Sequence, residues 1–224
     1  MKIIVLGADK GLGKILSEML ASRGHRVAAG YVTLPEDEQK EENILRLQMD
    51  VTDEEQLLFA VNTIREKMGR ADAVVDVAGV LLPSDRTGSL LTESIADIRK
   101  HMDVNAIGLV AAFRTIYPIM NKGSRFYAVT SEGGSFTLAG TLFPAYSVSK
   151  TAANKFVQVL RLTVSDVDLI AVHPGRMNTE MGRTTAQIEP EESAIGFCNL
   201  IEGVTPVNSM EHWFIDYLGR PMPV

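Results

Sequence analysis

The chain has little of what marks several large classes of protein. Cys198 is its only cysteine, so no internal disulfide can form, which fits a reducing cytoplasm. Basic residues are in the minority: 22 Lys and Arg stand against 28 Asp and Glu, for a net charge of −6. With no basic stripe, a nucleic-acid partner is not expected. No apolar run approaches the roughly 18 residues that span a bilayer, so no membrane partner is expected either. The start, Met1-Lys2-Ile3-Ile4-Val5-Leu6, enters a strand pattern directly, without the layout of a signal peptide. Repeats, low-complexity segments and linkers are lacking. Cys198 itself reads as a small buried residue in a helix. His173 and His212 have no metal-ligand spacing with Cys or carboxylates and read as structural, so no metal site is expected.

What is present is a chain of 224 residues, 46% hydrophobic and 22% charged, enough for a single domain over 1–224. Short apolar runs alternate with helical periodicity. Strands are predicted at 2–6, 26–33, 44–49, 73–77, 125–130, 168–173 and 212–216. Helices are predicted between them. One opens at Thr52-Asp53-Glu54-Glu55, read as a capping box, and runs through Met68. Another starts at Thr92 or Ser94. An apolar helix runs from Ile107 to Met120, with Asn105 expected as its cap. A further helix covers Glu191 to Ile201. This alternation predicts a Rossmann-like α/β fold: a doubly wound parallel sheet of about seven strands with helices on both faces. The polar segment 176–190 is expected to be a small, mobile lid.

The first strand runs into Gly7-Ala8-Asp9-Lys10-Gly11-Leu12-Gly13, and a helix follows. In that context glycines let backbone approach a pyrophosphate, and the helix N-terminus offers it free N–H groups. The second strand ends Gly30-Tyr31-Val32-Thr33, without the carboxylate that usually holds the ribose 2′-hydroxyl of NAD. None occurs before Glu36. Lys10 can instead meet a 2′-phosphate as a point charge, which leans towards NADP over NAD. Asp50, at the end of the third strand, reads equally as a turn residue and as an adenine ligand.

The segment around which these pieces gather is Tyr146-Ser147-Val148-Ser149-Lys150. Residues four apart share one face of a helix, and Pro144 suits its first turn. A phenol titrates near pH 10, and a nearby ammonium is expected to lower that value. The pair is therefore a candidate general acid–base. Ser131 ends the fifth strand, where open α/β sheets place their ligands.

Taken together, the series resembles the short-chain dehydrogenase/reductase family over nearly the whole chain. The resemblance rests on Gly7-x3-Gly11-x-Gly13, Asp50-Val51, Ala78-Gly79, Val104-Asn105-Ala106, Ser131, Tyr146-x3-Lys150, and Pro174-Gly175 followed by Thr179. It implies an NAD(P)-dependent carbonyl reductase or alcohol dehydrogenase acting on a small molecule. Tyr146 would be the acid–base and Lys150 would hold the nicotinamide ribose. Ser131 would orient the carbonyl and Asn105 would anchor a relay water. Gly7, Gly11, Leu12 and Gly13 would line the pyrophosphate, with Asp50, Val51, Ala78 and Gly79 on the adenosine side and Pro174, Gly175 and Thr179 on the nicotinamide side. It also implies a homodimer or homotetramer. A non-catalytic dinucleotide-binding regulator on the same scaffold is the alternative. Two departures stand out. The fourth strand ends Asp76-Val77-Ala78-Gly79 where the family has Asn-Asn-Ala-Gly. Ser131 lies two residues further from the tyrosine than usual, with Ser135 as the lesser candidate.

Overall fold

The computed structural model describes residues 1–35, 42–138, 142–182 and 185–224. Glu36 falls outside them, as do 139–141 in the loop before Tyr146 and 183–184 in the expected lid. Seven strands form one sheet: β1 (Lys2–Leu6), β2 (Arg26–Tyr31), β3 (Ile44–Gln48), β4 (Ala71–Asp76), β5 (Met120–Val129), β6 (Val167–His173) and β7 (Phe214–Asp216). Their order is β3-β2-β1-β4-β5-β6-β7, and every neighbouring pair is parallel.

The helices are α1 (Gly11–Ser22), α2 (Glu54–Lys67), α3 (Ile95–Met102), α4 (Gly108–Ile116), α5 (Pro144–Thr163) and α6 (Pro190–Ile201). Strand β1 explains the continuous apolar runs. Ile3 and Val5 face one core with Leu12 and Leu16 of α1 and Phe197 of α6. Ile4 and Leu6 face the other with Leu57 of α2, Leu109 of α4 and Val157 of α5. A strand buried on both faces has no polar side to alternate with. Cys198 is fully buried in α6, where burial pushes its thiol up to about 11.

Some expected boundaries move, for local reasons. The cap of α2 is Asp53, not Thr52: its carboxylate accepts from Glu55 N and Gln56 N, both at 3.0 Å, and Gln56 Nε2 donates back to it. Thr52 gives its N–H and its hydroxyl to Asp50. Ser94 caps α3 at 3.0 Å from Asp97 N, while the Thr92 hydroxyl serves Ser89. Asn105 caps nothing. It lies in a wide helical turn, Asp103–Ile107, that joins α3 to α4 without a break. The stretch expected as helix to Met120 ends at Ile116. Pro118 sits in a tight turn, and Met120 already starts β5.

The sheet order reverses between β1 and β4. Successive connections leave on opposite faces there, which opens a crevice beyond the carboxyl ends of those strands, where such sheets bind ligands.

Candidate active site

The crevice floor is built by glycines. Gly7 has φ +76°, and a Cβ there would stand 2.8 Å from Ala78 N. A Cβ on Gly13 would stand 2.1 Å from Gly7 O. The turn after β1 is thereby packed directly against the end of β4 and the first turn of α1. Leu12 is buried in the core beneath α1. No side chain caps α1, and no acidic residue occupies its first turn. Uncapped N–H groups at a helix start suit a phosphate anion, so the site fits a dinucleotide.

Two charges rim this turn. Lys10 Nζ pairs with Glu180 Oε2 at 2.5 Å, both largely exposed. The Asp9 carboxylate accepts from Val32 N at 3.0 Å and Thr33 N at 3.3 Å. A carboxylate thus reaches the end of β2 from the glycine turn, a placement that periodicity cannot reveal. Thr179 lies above Gly11, its methyl 3.6 Å from where a Cβ would be.

On the other side of the crevice α5 presents Tyr146 and Lys150. The Lys150 ammonium stands 5.7 Å from the centre of the Tyr146 ring. It donates to Val129 O, at the end of β5, at 2.9 Å. A Cβ on Gly79 would lie 3.3 Å from both Lys150 Nζ and Asn105 Oδ1. Asn105 Oδ1 accepts from Val80 N at 2.7 Å, and its Nδ2 donates to Val80 O and Ser149 Oγ, both at 2.9 Å. It therefore ties the β4 loop to α5. Ser131 lies near enough to the Tyr146 phenol for its hydroxyl to favour the phenolate, and that hydroxyl accepts from Gly133 N at 3.1 Å. Ser135 is buried, and its hydroxyl is taken by Thr137 N and Leu138 N. Of the two serines, the fold brings Ser131 to the phenol.

Burial governs the charges. It pushes Tyr146 up to about 12, against the pull of the nearby Ser131 hydroxyl, and the Glu132 carboxylate adds to the rise. Burial brings Lys150 down to about 8, opposed by the charge of Asp76. Asp76 is itself raised to about 6 by burial, against Lys150 and the Ala78 N–H. Spacing alone predicts a phenol lowered by its lysine. Here the ammonium is directed to a backbone carbonyl and weakened by burial, so desolvation of the phenol prevails.

The remaining predicted positions lie around the same edge. Asp50 holds the turn into α2 through Thr52, and Val51 is buried against Gly108. Pro174 O accepts from Ser193 Oγ at 2.7 Å. Gly175 takes φ +84° with Ile188 packed where its Cβ would be. His173 Nδ1 accepts from Glu132 N, and burial lowers its pKa. Among the described residues no group of three or more His, Cys, Asp or Glu could hold a metal ion. Sequence reasoning assigned no part to Asp76, Asp85 or Glu132. For Asp76 the signal was a carboxylate inside an apolar strand.

Such a crevice, with an uncapped glycine-rich turn on one side and Tyr146, Ser131, Lys150 and Asn105 on the other, suits a dinucleotide-binding oxidoreductase. A family model described as short chain dehydrogenase matches residues 1–190, and the chain belongs to that family. It is accordingly an NAD(P)-dependent oxidoreductase of small molecules. The chain is 30% identical to the 1-hydroxy-2-glutathionyl-2-methyl-3-butene dehydrogenase of Rhodococcus sp. (strain AD45), over 92% of this chain and 93% of that one. Two solved structures share the fold over 100% of this chain and 99% of theirs. One is a short-chain dehydrogenase/reductase from Burkholderia multivorans with bound NADP, at TM-score 0.84 and 21% identity. The other is a carbonyl reductase from Pseudomonas aeruginosa PAO1 in complex with NADP, at TM-score 0.82 and 22% identity.

Proposed function

We propose that the protein is a carbonyl reductase or alcohol dehydrogenase working on a small substrate, with Tyr146 as the acid–base. The observation that carries this is the meeting of Tyr146 and Lys150 of α5 with Ser131 and Asn105, drawn from three separate segments, at the sheet edge beside the glycine turn. The nicotinamide, when bound, supplies or accepts the hydride. The chain supplies placement and the proton. Ser131 holds the phenol and the substrate oxygen in line. Tyr146, protonated at neutral pH, donates its hydroxyl proton to that oxygen in the reductive direction. Lys150 Nζ would pass a replacement proton to the phenolate and be reprotonated from solvent through a relay water that Asn105 would anchor. Gly7, Gly11, Leu12 and Gly13 give backbone N–H groups to the pyrophosphate. Asp50, Val51, Ala78 and Gly79 flank the adenosine, and Pro174, Gly175 and Thr179 flank the nicotinamide.

NADP is the cofactor of two structural neighbours, and Lys10 is the residue of this chain suited to its 2′-phosphate. Its partner Glu180 is exposed, and such a surface pair is worth only about 0–1 kcal/mol, so a phosphate can displace it. Asp9 opposes this preference and favours NAD. We read residues 1–224 as one catalytic unit with a small lid around 176–190. Exposed Ile107, Val148 and Leu162 lie beside or on α4 and α5 and suit a homodimer or homotetramer. No described helix is long and apolar enough to cross a membrane, and we place the protein in the cytoplasm.

The test is Tyr146→Phe assayed with NADPH and a panel of small carbonyl compounds. Turnover falls about 10²–10⁴-fold, the usual contribution of a general acid, while cofactor fluorescence titrates unchanged. Wild-type turnover in the variant would refute the assignment.

A further inference from the structure

The first turn of α5 lacks the local cap that a helix normally has. Phe143 stands at the cap position with φ +52° and offers no side-chain hydrogen bond, and Pro144 has no N–H. The first hydrogen bond of the helix runs from Ser147 N to Phe143 O. Two donors are left over, the N–H groups of Ala145 and of Tyr146 itself.

Both are taken by one residue 60 positions upstream. Asp85 Oδ1 accepts from Ala145 N at 2.9 Å, and Asp85 Oδ2 accepts from Tyr146 N at 2.8 Å. The carboxylate is 1% exposed. It sits in the short turn Pro83–Arg86, in the loop that leaves β4. Its surroundings are built to hold it still. His101 Nε2 lies 3.9 Å from Oδ2, and that nitrogen accepts from Leu82 N at 3.1 Å, while His101 Nδ1 donates to Asp97 O. The next residue, Arg86, lies over the Phe143 ring and donates to Met181 O at 2.5 Å.

We propose that Asp85 is a positioning residue for the acid–base: a cap supplied in trans by the β4 loop that sets where Tyr146 stands relative to Ser131. The inference rests on the proposed role of Tyr146 and extends it to a residue that touches neither substrate nor cofactor. The physical basis is the shape of the fork. A carboxylate presents two acceptors to two adjacent amides, and both hydrogen bonds are charge-assisted. An asparagine presents one acceptor and turns an NH₂ group towards the other amide. The Tyr146 backbone is thus held by its own N–H, with Ser131 nearby in the turn that follows β5.

The test uses Asp85→Asn and Asp85→Ala beside Tyr146→Phe in the full-length protein. A displacement of about 1 Å at a reacting group costs on the order of 10²-fold. In Asp85→Asn we expect kcat to drop towards that figure, with NADPH affinity unchanged, and Asp85→Ala to lose more. Amide exchange in the wild-type protein gives a reading independent of any variant: Ala145 and Tyr146 N–H exchange slowly although they lie in a helix's first turn. Wild-type kcat in a folded Asp85→Asn, a loss of cofactor affinity matching the loss of kcat, or fast exchange of both amides would overturn the proposal. If Tyr146→Phe keeps full turnover, the reading of the site fails instead. If Tyr146→Phe is inactive and Asp85→Asn is normal, the Asp85 inference alone fails.

Discussion

Asp76→Asn tests the electrostatics of the site through stability. Asp76 lies at the end of β4 and is almost fully buried, with its Oδ1 accepting from Ala78 N at 3.2 Å. Asparagine has the same shape and keeps that acceptor, so the change removes little except the charge. The folded-state pKa of Asp76 is about 6, against 3.8 for the free group. Between those values the native protein binds more protons than the unfolded chain, so the contribution of Asp76 to stability falls as pH rises. A displacement of about two units corresponds to about 3 kcal/mol, developed between pH 4 and 7 and complete above it. The variant lacks this loss. Its stability relative to wild type should therefore climb by about 3 kcal/mol across that window, whatever constant offset the substitution brings. Removing Asp76 also lets Lys150 fall below about 8, which adds in the same direction. Urea unfolding at pH 4, 5, 6 and 7 measures the difference. With a slope of about 1–3 kcal/mol per molar, the relative midpoint moves by about 1–3 M. A difference that stays flat with pH, or narrows, would refute the buried carboxylate as the cause.

Lys10→Ala should weaken NADPH binding about fivefold, the worth of one exposed charge contact, and leave NADH untouched; fluorescence titration of both cofactors reads this, and equal effects on the two would end the 2′-phosphate role. Gly13→Ala places a Cβ 2.1 Å from Gly7 O, backbone against backbone. We expect about 1–3 kcal/mol of overpacking cost together with loss of cofactor binding, seen in a thermal melt and the same titration; a variant of wild-type stability would show that the turn yields.

Much of the fold was legible because its signals are short in range. Strand β1 could be read from four apolar residues, Ile3 to Leu6, and a glycine, and α1 from the spacing of Ile15, Leu16, Met19 and Leu20. The errors were also local. Thr52 and Asp53 are both good caps, and which one closes the helix depends on where Asp50 draws Thr52. Asn105 looked like a cap because its type favours one, yet its side chain answers to Val80 and Ser149, from segments distant in sequence.

The amino-acid sequence by itself determined the doubly wound sheet, the glycine turn and the family, since each rests on periodicity or on residues a few positions apart. It also named Tyr146 and Lys150, which one helical turn puts on a common face. Only the tertiary structure decided that the Ser135 hydroxyl is turned to Thr137 and Leu138 while Ser131 lies near the phenol, that Asp9 reaches the end of β2, that Asp76 lies buried in the field of Lys150, and that Asp85 closes the helix carrying the tyrosine. These are contacts between chain segments set far apart, and burial, which no spacing rule encodes, sets the charge each group carries.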